Sequence, residues 1–312
     1  MSLEPSPDVT TTPGEAPPKR AVLLVNTKSR RGQEWFEQAK VVLGQKGIQL
    51  EAAKSFKTID KLLAEAKTAI DRNVPLLIAG GGDGTFNALA DLYVDHQTVM
   101  GVLPLGTGNS FARDLGIPAD LETACDVIAN GKVVHVDLGW ANGTHFVNVA
   151  TVGLTTKIAQ GLTVPMKRKF GRFVYAIVLT QALKKIKPFR AKLTTEFGTH
   201  EFETLQVVVG NGRFHAGPFP LSPDATITEG RLSLYALRKA SKLELLKMAL
   251  LMPFGRQGSL AGVHQEECTR GRLETFPPMA VTVDGEVCPT TPLEFRIAPK
   301  ALRVVAPQEF AG

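Results

Sequence analysis

Residues 80–85 have the sequence Gly-Gly-Gly-Asp-Gly-Thr, which combines a tight glycine turn with one carboxylate, Asp83. An apolar run at 74–79 precedes this loop, and residues 86–90 after it are typical of a helix. A strand, a glycine turn and a helix N-terminus form an anion site, because unpaired N–H groups and the positive end of the helix dipole face the turn. A carboxylate there would repel a bare phosphate, so Asp83 indicates a bound cation or a proton acceptor. This combination points to phosphoryl transfer.

Two further polar loops follow predicted strands. The segment 106–109, Gly-Thr-Gly-Asn, comes after a strand at Val99–Leu105, and the loop Thr27–Gly32 comes after a strand at 21–26. Ligands of parallel sheets bind beyond the carboxyl ends of the strands, so three such loops predict one shared site. A single glycine-rich loop is often only a tight turn, but two at neighbouring strand ends favour phosphate binding. The chain contains neither a G-x-G-x-x-G dinucleotide fingerprint nor a G-x-x-x-x-G-K-[ST] phosphate loop.

Strands and helices alternate over residues 21–132, which predicts a Rossmann-like α/β domain with a parallel sheet. Residues 1–20 are rich in Pro, Thr, Ser and Glu, and we expect them to form a disordered tail. The predicted strands of the domain are 21–26, 74–79 and Val99–Leu105, and its predicted helices are Gln33–Gln45, Thr58–Arg72, a helix after the first glycine loop, Ser110–Leu115 and Leu121–Asn130.

Residues 133–300 have short alternating or β-branched runs, which predict a mainly-β sandwich. The expected fold class is therefore a Rossmann-like α/β domain plus a β-sandwich domain, with a nucleotide cleft between them. A last strand, at about 301–307, could return to the first domain. The predicted strands of the second domain are Val133–Leu138, Phe146–Val152, Ala191–Phe197, Leu205–Val209, Arg231–Leu237, Ala280–Val283 and Leu293–Ile297, with helices near Arg172–Ile186 and Lys242–Met252.

The composition of the 312 residues is typical of a globular protein, with 44% apolar residues and three widely spaced cysteines. No stretch is long and apolar enough to span a bilayer, and the N-terminus lacks a signal-peptide core, so we expect a cytoplasmic protein. The net charge of +6 favours anionic partners such as nucleotides or acidic lipid surfaces. No basic segment is interleaved with aromatics, so we do not expect nucleic acid as a partner. The six histidines show no ligand spacing.

The first glycine loop, together with Pro-Leu-Gly-Thr-Gly-Asn-Ser-Phe-Ala-Arg at 104–113, resembles the diacylglycerol kinase catalytic family. That family includes the bacterial lipid kinases and the sphingosine and ceramide kinases. The resemblance extends over nearly all of residues 20–307 and rests on five ordered motifs. The GGDG core alone is weaker, because NAD kinases and phosphofructokinases share it. The later motifs are Phe146-Val147-Asn148 with Gly153, Gly210-Asn211-Gly212 with Pro223-Asp224-Ala225 and Glu229-Gly230, Val283-Asp284-Gly285-Glu286, and residues 299–304.

The resemblance implies an ATP- and Mg²⁺-dependent kinase. Asp83 would act through the catalytic Mg²⁺ or as a general base, and Asp284 and Glu286 would face it from the second domain. The family is not uniform on the base, so we assign that role to the pair Asp83/Asp284. Without the resemblance, Asp284-Gly285 would more readily be read as a hairpin turn. The residues expected to hold ATP are Asn26, Gly81, Gly82, Gly84, Thr85, Gly106, Thr107 and Asn109.

The chain departs from the family's pattern at two positions. Ser110 stands where the family commonly has an acidic residue, which leaves any contact of that acid unassigned. Glu229 stands where bacterial members usually carry an Asp that helps to bind a structural Mg²⁺, together with carbonyls matching Thr226 and Arg231. Glutamate can ligate Mg²⁺, but its longer side chain could also shift or abolish the site, and both outcomes stay open.

The expected acceptor is a lipid at a membrane surface, which implies peripheral membrane contact by a cytoplasmic enzyme. The basic and apolar segment 162–173 could dock on anionic headgroups, although a solvated loop leading into a core helix explains it as well. The sequence also allows a homodimer. Two alternatives stay open: an NAD kinase-like small-molecule kinase, and a catalytically silent regulator that binds lipid or nucleotide. The retention of three acidic residues, Asp83, Asp284 and Glu286, argues against the silent regulator.

Overall fold

The computed structural model describes residues 14–27, 30–153, 187–216, 219–220, 225–238 and 263–312. Within these ranges the chain forms an N-terminal α/β domain and a second domain built from antiparallel strands, as the sequence predicts. No described helix has both the length and the apolar character that a membrane span requires.

The first domain has a parallel sheet in the order β2-β1-β3-β4 with helices packed against it. Strands β3 and β4 are buried along their whole length, because they carry apolar side chains or glycine on both faces. The strands are β1 Arg20–Asn26, β2 Gln49–Phe56, β3 Leu76–Gly81 and β4 Val99–Pro104, and the helices are α1 Arg30–Gln45, α2 Ile59–Asp71, α3 Asp83–Tyr93, α4 Ser110–Asp114 and α5 Leu121–Asn130.

The register of this sheet brings the carboxyl ends of three strands to one edge. Ala79 of β3 lies opposite Leu24 of β1 and Val102 of β4, so all three chains run in step toward that edge. The strands end there at Asn26, Gly81 and Pro104, immediately before the polar loops that the sequence singles out. The parallel register therefore positions the candidate site.

Two predictions for the first domain were incomplete. Strand β2 was missed, since it is an edge strand whose exposed positions carry polar residues such as Glu51 and Lys54. Such a short polar alternation gives little apolar signal. Helix α1 begins at Arg30, inside the segment predicted as the loop Thr27–Gly32.

The second domain is antiparallel and has its own core, which contains Phe146, Phe189 and Phe295. Its strands are β5 Lys132–Ala141, β6 Thr144–Phe146, β7 Val149–Gly153, β8 Phe189–Thr195, β9 Gly198–Gly210, β10 Phe214–Ala216, β11 Phe219–Pro220, β12 Leu232–Arg238, β13 Val263–Cys268, β14 Arg270–Phe276, β15 Ala280–Val283, β16 Glu286–Thr290 and β17 Leu293–Ala306. Strands β13, β14 and β16 were not predicted, because polar and charged residues interrupt their apolar pattern.

The last strand connects the two domains. The first part of β17 pairs antiparallel with β14, and its last part pairs in parallel with β4, where Val304 lies opposite Met100. Strand β5 runs antiparallel to β17 through both parts. The strands predicted at 293–297 and 301–307 are therefore one strand, and the sheet of the first domain continues into the second domain.

Residues 14–20, predicted as part of the disordered tail, pack against the first domain. The carbonyl of Glu15 accepts a hydrogen bond from Val133 N at 2.7 Å, and its carboxylate pairs with Arg303 at 2.7 Å. The tail prediction was wrong for this stretch, because a composition signal does not report pairing with a distant strand. The helices predicted near 172–186 and 242–252, and the basic and apolar segment 162–173, lie outside the described residues.

Candidate active site

The two glycine loops pack backbone against backbone at the edge of the sheet. A Cβ atom on Gly106 would lie 2.7 Å from the Cα of Gly82, and one on Gly82 would lie 3.1 Å from the Cα of Gly106. The amide N–H of Leu105 donates to the carbonyl of Gly81 at 2.7 Å and holds the loops in step. Side chains at Gly82 and Gly106 would force the loops apart, so glycine is required for the close approach.

The end of β1 joins this arrangement through a polar contact of Asn26. The side-chain amide of Asn26 donates to the hydroxyl oxygen of Thr85 at 3.3 Å. Thr85 is buried in the first turn of α3, and its side chain fills the space where a Cβ on Gly81 would stand. Asn26, Gly81 and Thr85, all predicted to hold a nucleotide, are therefore brought together.

Asp83 is the first residue of α3 and bridges the two loops. Its Oδ1 accepts a hydrogen bond from the backbone N–H of Phe111 at 3.1 Å, and the rings of Phe86 and Phe111 pack 6.0 Å apart behind it. Its second oxygen, Oδ2, has no hydrogen-bond partner among the described residues. One oxygen thus orients the carboxylate, and the other remains available to a ligand.

Asn109 closes the second glycine loop in the left-handed conformation, with φ of 49°, which asparagine tolerates better than most residues. Its side-chain nitrogen donates to the carbonyl of Pro104 at 3.4 Å. Its Oδ1 is buried and has no partner in the described part of the chain. Because buried polar atoms are normally paired, this oxygen is an acceptor that a ligand could satisfy.

Asp284 comes from the second domain, in the turn between β15 and β16, with φ of 45°. Its carboxylate accepts hydrogen bonds from three consecutive backbone N–H groups at the start of β7. Val149 N donates to Oδ1 at 2.7 Å, Val147 N donates to Oδ2 at 2.9 Å, and Asn148 N lies 3.2 Å from both oxygens. This cradle fixes the position of the carboxylate rigidly.

Asp284 ionises less readily than an exposed carboxyl does. Burial raises the pKa of this carboxyl to about 7, although the three N–H donors act in the opposite direction. The negative charge of Asp83 raises the pKa further, so the two carboxylates from different domains are close enough to interact. A carboxylate with a pKa near neutrality can accept a proton and release it again at physiological pH.

The remaining predicted residues occupy different places. Gly84 is exposed as the second residue of α3, Thr107 is exposed in the second glycine loop, and Glu286 is exposed at the start of β16. The residues predicted for a structural metal, Thr226, Glu229 and Arg231, lie in the turn before β12. The hydroxyl oxygens of Thr226 and Thr228 are 3.2 Å apart, Glu229 is exposed, and Arg231 pairs with Glu267 at 3.1 Å.

Two residues with no assigned role in the sequence prediction support the junction of the domains. Asp137 of β5 is buried and accepts hydrogen bonds from Gly230 N at 2.6 Å and Lys300 N at 2.7 Å. Asn211 donates from its side chain to the carbonyls of Asp137 and Val147 at 2.9 and 3.2 Å. A lone Asp within the apolar strand 133–138 is the sequence signal that could have identified Asp137.

A small cavity of about 90 Å³ opens beside the second glycine loop. Gly32, Trp35, Pro104, Leu105, Gly106 and Ala119 line it. It lies at the carboxyl end of β4 and beside the first turn of α1, where ligands of parallel sheets bind. Its aromatic and aliphatic lining suits a flat apolar group next to the two glycine loops.

These residues fit a nucleotide phosphate with a divalent cation. At the start of the eleven-residue helix α3, the N–H groups of Thr85 and Phe86 donate to the carbonyl of Gly82, whereas those of Asp83 and Gly84 have no carbonyl partner within the described residues and could bind an anion. A Cβ at Gly82 or Gly106 would fill the space between the two glycine loops. The available oxygens of Asp83 and Asn109 are the hard ligands that Mg²⁺ prefers.

Two family models match the chain. The diacylglycerol kinase catalytic domain matches residues 20–141, and the YegS C-terminal NAD kinase beta sandwich-like domain matches residues 148–306. The match therefore extends over both domains, and it includes both glycine loops and Asp284.

Named proteins are similar over almost the whole chain. The diacylglycerol kinase of Staphylococcus saprophyticus is 29% identical over 297 residues, which cover 93% of this chain and 96% of that protein. The diacylglycerol kinase of Staphylococcus aureus strain Newman is 30% identical over 300 residues, which cover 94% of each. A crystal structure is known for a protein of Bacillus anthracis that is provisionally assigned as a diacylglycerol kinase. Its alignment with this chain covers 98% of this chain and 100% of that one. Its TM-score of 0.80 at 22% identity shows the same fold.

Proposed function

The chain belongs to the diacylglycerol kinase family and is a kinase, and from that premise we propose that it transfers the γ-phosphate of ATP to the hydroxyl of diacylglycerol or a related lipid, with Mg²⁺ as the cation. The observation that carries the proposal is the packing of the two glycine loops against Asp83, together with the N–H cradle that holds Asp284 of the second domain, whose pKa the charge of Asp83 helps to raise. Phosphoryl transfer needs charge neutralisation and an oriented hydroxyl more than it needs covalent chemistry.

Asp284 is the proton acceptor in this proposal. The lipid hydroxyl oxygen forms the new bond to the γ-phosphorus while the bond to the β-phosphate oxygen breaks and its electron pair leaves with ADP. The hydroxyl proton passes to the Asp284 carboxylate. Its raised pKa, about 7, and its fixed position in the cradle of 147–149 support this role.

Asp83 would hold the cation through the oxygen that Phe111 N leaves available. When bound, Mg²⁺ neutralises charge on the transferring phosphoryl group. Gly82, Gly106 and the N-terminus of α3 bind the phosphates, while Asn26 and Thr85 hold the first loop in place. Glu286, Thr107 and Gly84 stay predictions as site residues, as does a structural metal at Thr226, Glu229 and Arg231.

The acceptor class implies that the enzyme works at a membrane surface as a peripheral protein. The family membership and the net charge of +6 support this part of the proposal, since positive charge favours anionic lipid surfaces. A homodimer stays a prediction from the sequence.

The test is transfer of labelled phosphate from ATP to a panel of acceptors in mixed micelles. The panel contains diacylglycerol, ceramide, sphingosine and, as a soluble rival acceptor, NAD. We expect labelled lipid and no labelled NAD. Phosphorylation of NAD with no lipid product would overturn the lipid assignment, and no turnover with any acceptor would favour a silent regulator.

The role of the two carboxylates is tested separately with Asp83→Asn and Asp284→Asn. Both should reduce kcat by roughly 100- to 10,000-fold, the range of general acid–base and cation-dependent contributions. Asp126→Asn is a control, because Asp126 is an exposed residue of α5 that pairs with Lys46 at 2.7 Å, away from the site. Near wild-type kcat in either site variant would show that the roles are assigned wrongly.

A further inference from the structure

Two histidines and a glutamate lie side by side in the second domain. His200 is on β9, and His264 and Glu266 are on β13. One ligand atom from each lies within 4.8 Å of the other two. The side chains of His264 and Glu266 are only 17% and 13% exposed, whereas that of His200 is 46% exposed. These residues belong to neither glycine loop, and the kinase mechanism does not use them.

Strand alternation explains why the three side chains face one another. His264 and Glu266 are two residues apart on β13, so both point to the same face of that strand. His200 and Phe202 share a face of β9 in the same way. The ring of His264 lies 5.1 Å from that of His200 and 5.7 Å from that of Phe202. The β9 side chains therefore face the β13 side chains across a narrow gap.

The distances suit a tetrahedral metal ion. The Nε2 of His264 and of His200 lie 3.2 and 3.8 Å from Oε2 of Glu266. Ligand atoms about 2.0–2.1 Å from a tetrahedral Zn²⁺ are about 3.3 Å from one another. Small side-chain rotations would therefore bring all three atoms to bonding distance.

Thr195 orients the glutamate. Its hydroxyl donates to Oε1 of Glu266 at 2.5 Å, so that Oε2 is the oxygen that faces the two imidazoles. Hydrogen bonds that fix one oxygen of a ligating carboxylate are a common feature of metal sites. The ring contact between Phe202 and His264 restricts the imidazole as well.

We propose that His200, His264 and Glu266 bind a divalent transition-metal ion, Zn²⁺ in the first instance. Imidazole nitrogens suit Zn²⁺, while Mg²⁺ prefers oxygen ligands, so this site and the nucleotide site select different ions. Three protein ligands leave a fourth position for water. The ion would tie β13 to β9, and β13 otherwise pairs with β12 alone among the described strands.

The test uses the full-length protein with its affinity tag removed, and the probes are ZnCl₂ and CoCl₂. Equilibrium dialysis should give one Zn²⁺ per chain, and Co²⁺ should produce the visible absorption of a tetrahedral site. At a Zn²⁺ concentration about 100 times Kd, Tm should rise by roughly 5 °C. Millimolar Mg²⁺ should not displace the ion.

The ligands are tested one at a time. His264→Ala and Glu266→Gln should each weaken Zn²⁺ binding roughly 100-fold, and Thr195→Ala should weaken it about 10- to 100-fold through the lost orientation of Glu266. His200→Ala provides the same test at an exposed position, should a change at His264 disturb folding. His96→Ala is the matched control, because His96 is exposed in the loop after α3.

Two results would overturn the proposal. One is wild-type protein that binds no Zn²⁺ with a Kd below about 1 mM. The other is equal binding by the wild type, His200→Ala and Glu266→Gln, with loss of binding in Cys288→Ser instead. The latter would assign the ion to the partly exposed thiol of Cys288.

Discussion

Replacing Asp284 by asparagine should separate the catalytic role of this carboxyl from its cost to stability. The side chains have the same shape, and asparagine tolerates the φ of 45° at this turn. The variant should lose its proton acceptor and with it a factor of roughly 100 to 10,000 in kcat. At the same time it removes a half-buried charge whose ionisation the fold disfavours.

The size of the pH-dependent change in the free energy of unfolding follows from the shift of the pKa of Asp284 from its ordinary value of 3.8 to about 7 in the folded protein. Between these values the folded state binds more protons at Asp284 than the unfolded state, so this residue lowers stability as the pH rises. Integrated from pH 5 to pH 8.5, the loss is about 3 kcal/mol in the wild type. The asparagine of the Asp284→Asn variant cannot ionise, so the variant should become more stable relative to the wild type by about that amount over the same interval.

The assay is urea unfolding of both proteins at pH 5 and pH 8.5. At each pH, the free energy of unfolding of the wild type is subtracted from that of the variant. Comparing these differences at pH 5 and pH 8.5 cancels the contribution of the other titrating groups, which both proteins share. Asp126→Asn is the control: a hydrogen bond from Lys46 lowers the pKa of Asp126, so this carboxylate stays ionised throughout the interval. A stability difference between Asp284→Asn and the wild type that changes by less than about 0.5 kcal/mol would refute the burial argument.

Two further perturbations test the packing of the site and the junction of the domains. Gly106→Ala should destabilise the protein by about 1–3 kcal/mol and raise the KM for ATP, because its Cβ would stand 2.7 Å from the Cα of Gly82. Gly84→Ala, with nothing within 4 Å of its Cβ, should stabilise α3 by about 0.5–1 kcal/mol, and urea unfolding compares the two. His145→Ala removes the 2.7 Å contact of Nδ1 with Asp91 on α3. Because Asp91 is partly exposed, the free energy of unfolding should fall by only about 0.5–1 kcal/mol, measured by urea unfolding at pH 6. A Gly106→Ala variant more stable than Gly84→Ala, or a gain of stability in His145→Ala, would contradict these assignments.

The loops of the first domain could be predicted because their signals are local. An apolar run, a glycine turn and a helix start are adjacent in the sequence at 74–90, so strand β3 and helix α3 follow from neighbouring residues. Strand β2 was not predicted, because its exposed edge carries polar residues and its pairing with β1 is a contact between distant segments.

An interaction between Asp83 and Asp284 was expected only through the family resemblance. Taken alone, Asp284-Gly285 is a hairpin signal, and the structure does place it in a turn between β15 and β16. Its unusual ionisation depends on burial and on the N–H groups of 147–149, which pairing of β15 with β7 brings to it. No local pattern encodes such a cradle.

The residues that support the domain junction, and those of the proposed metal site, could not be grouped from local sequence patterns either. Asp137, Gly230 and Lys300 meet through hydrogen bonds across long stretches of chain, and His200 on β9 meets His264 on β13. The histidines have no ligand spacing along the chain, since their spacing is set by the packing of β9 against β13.

The amino-acid order alone determined the α/β and β-sandwich classes and the position of the glycine loops, and it indicated phosphoryl transfer, because periodicity and glycine turns act over a few residues. The tertiary structure alone decided the raised pKa of Asp284, the fit of Gly82 to Gly106 and the grouping of His200 with His264 and Glu266. Those properties depend on burial and on distances between segments that only the folded chain brings together.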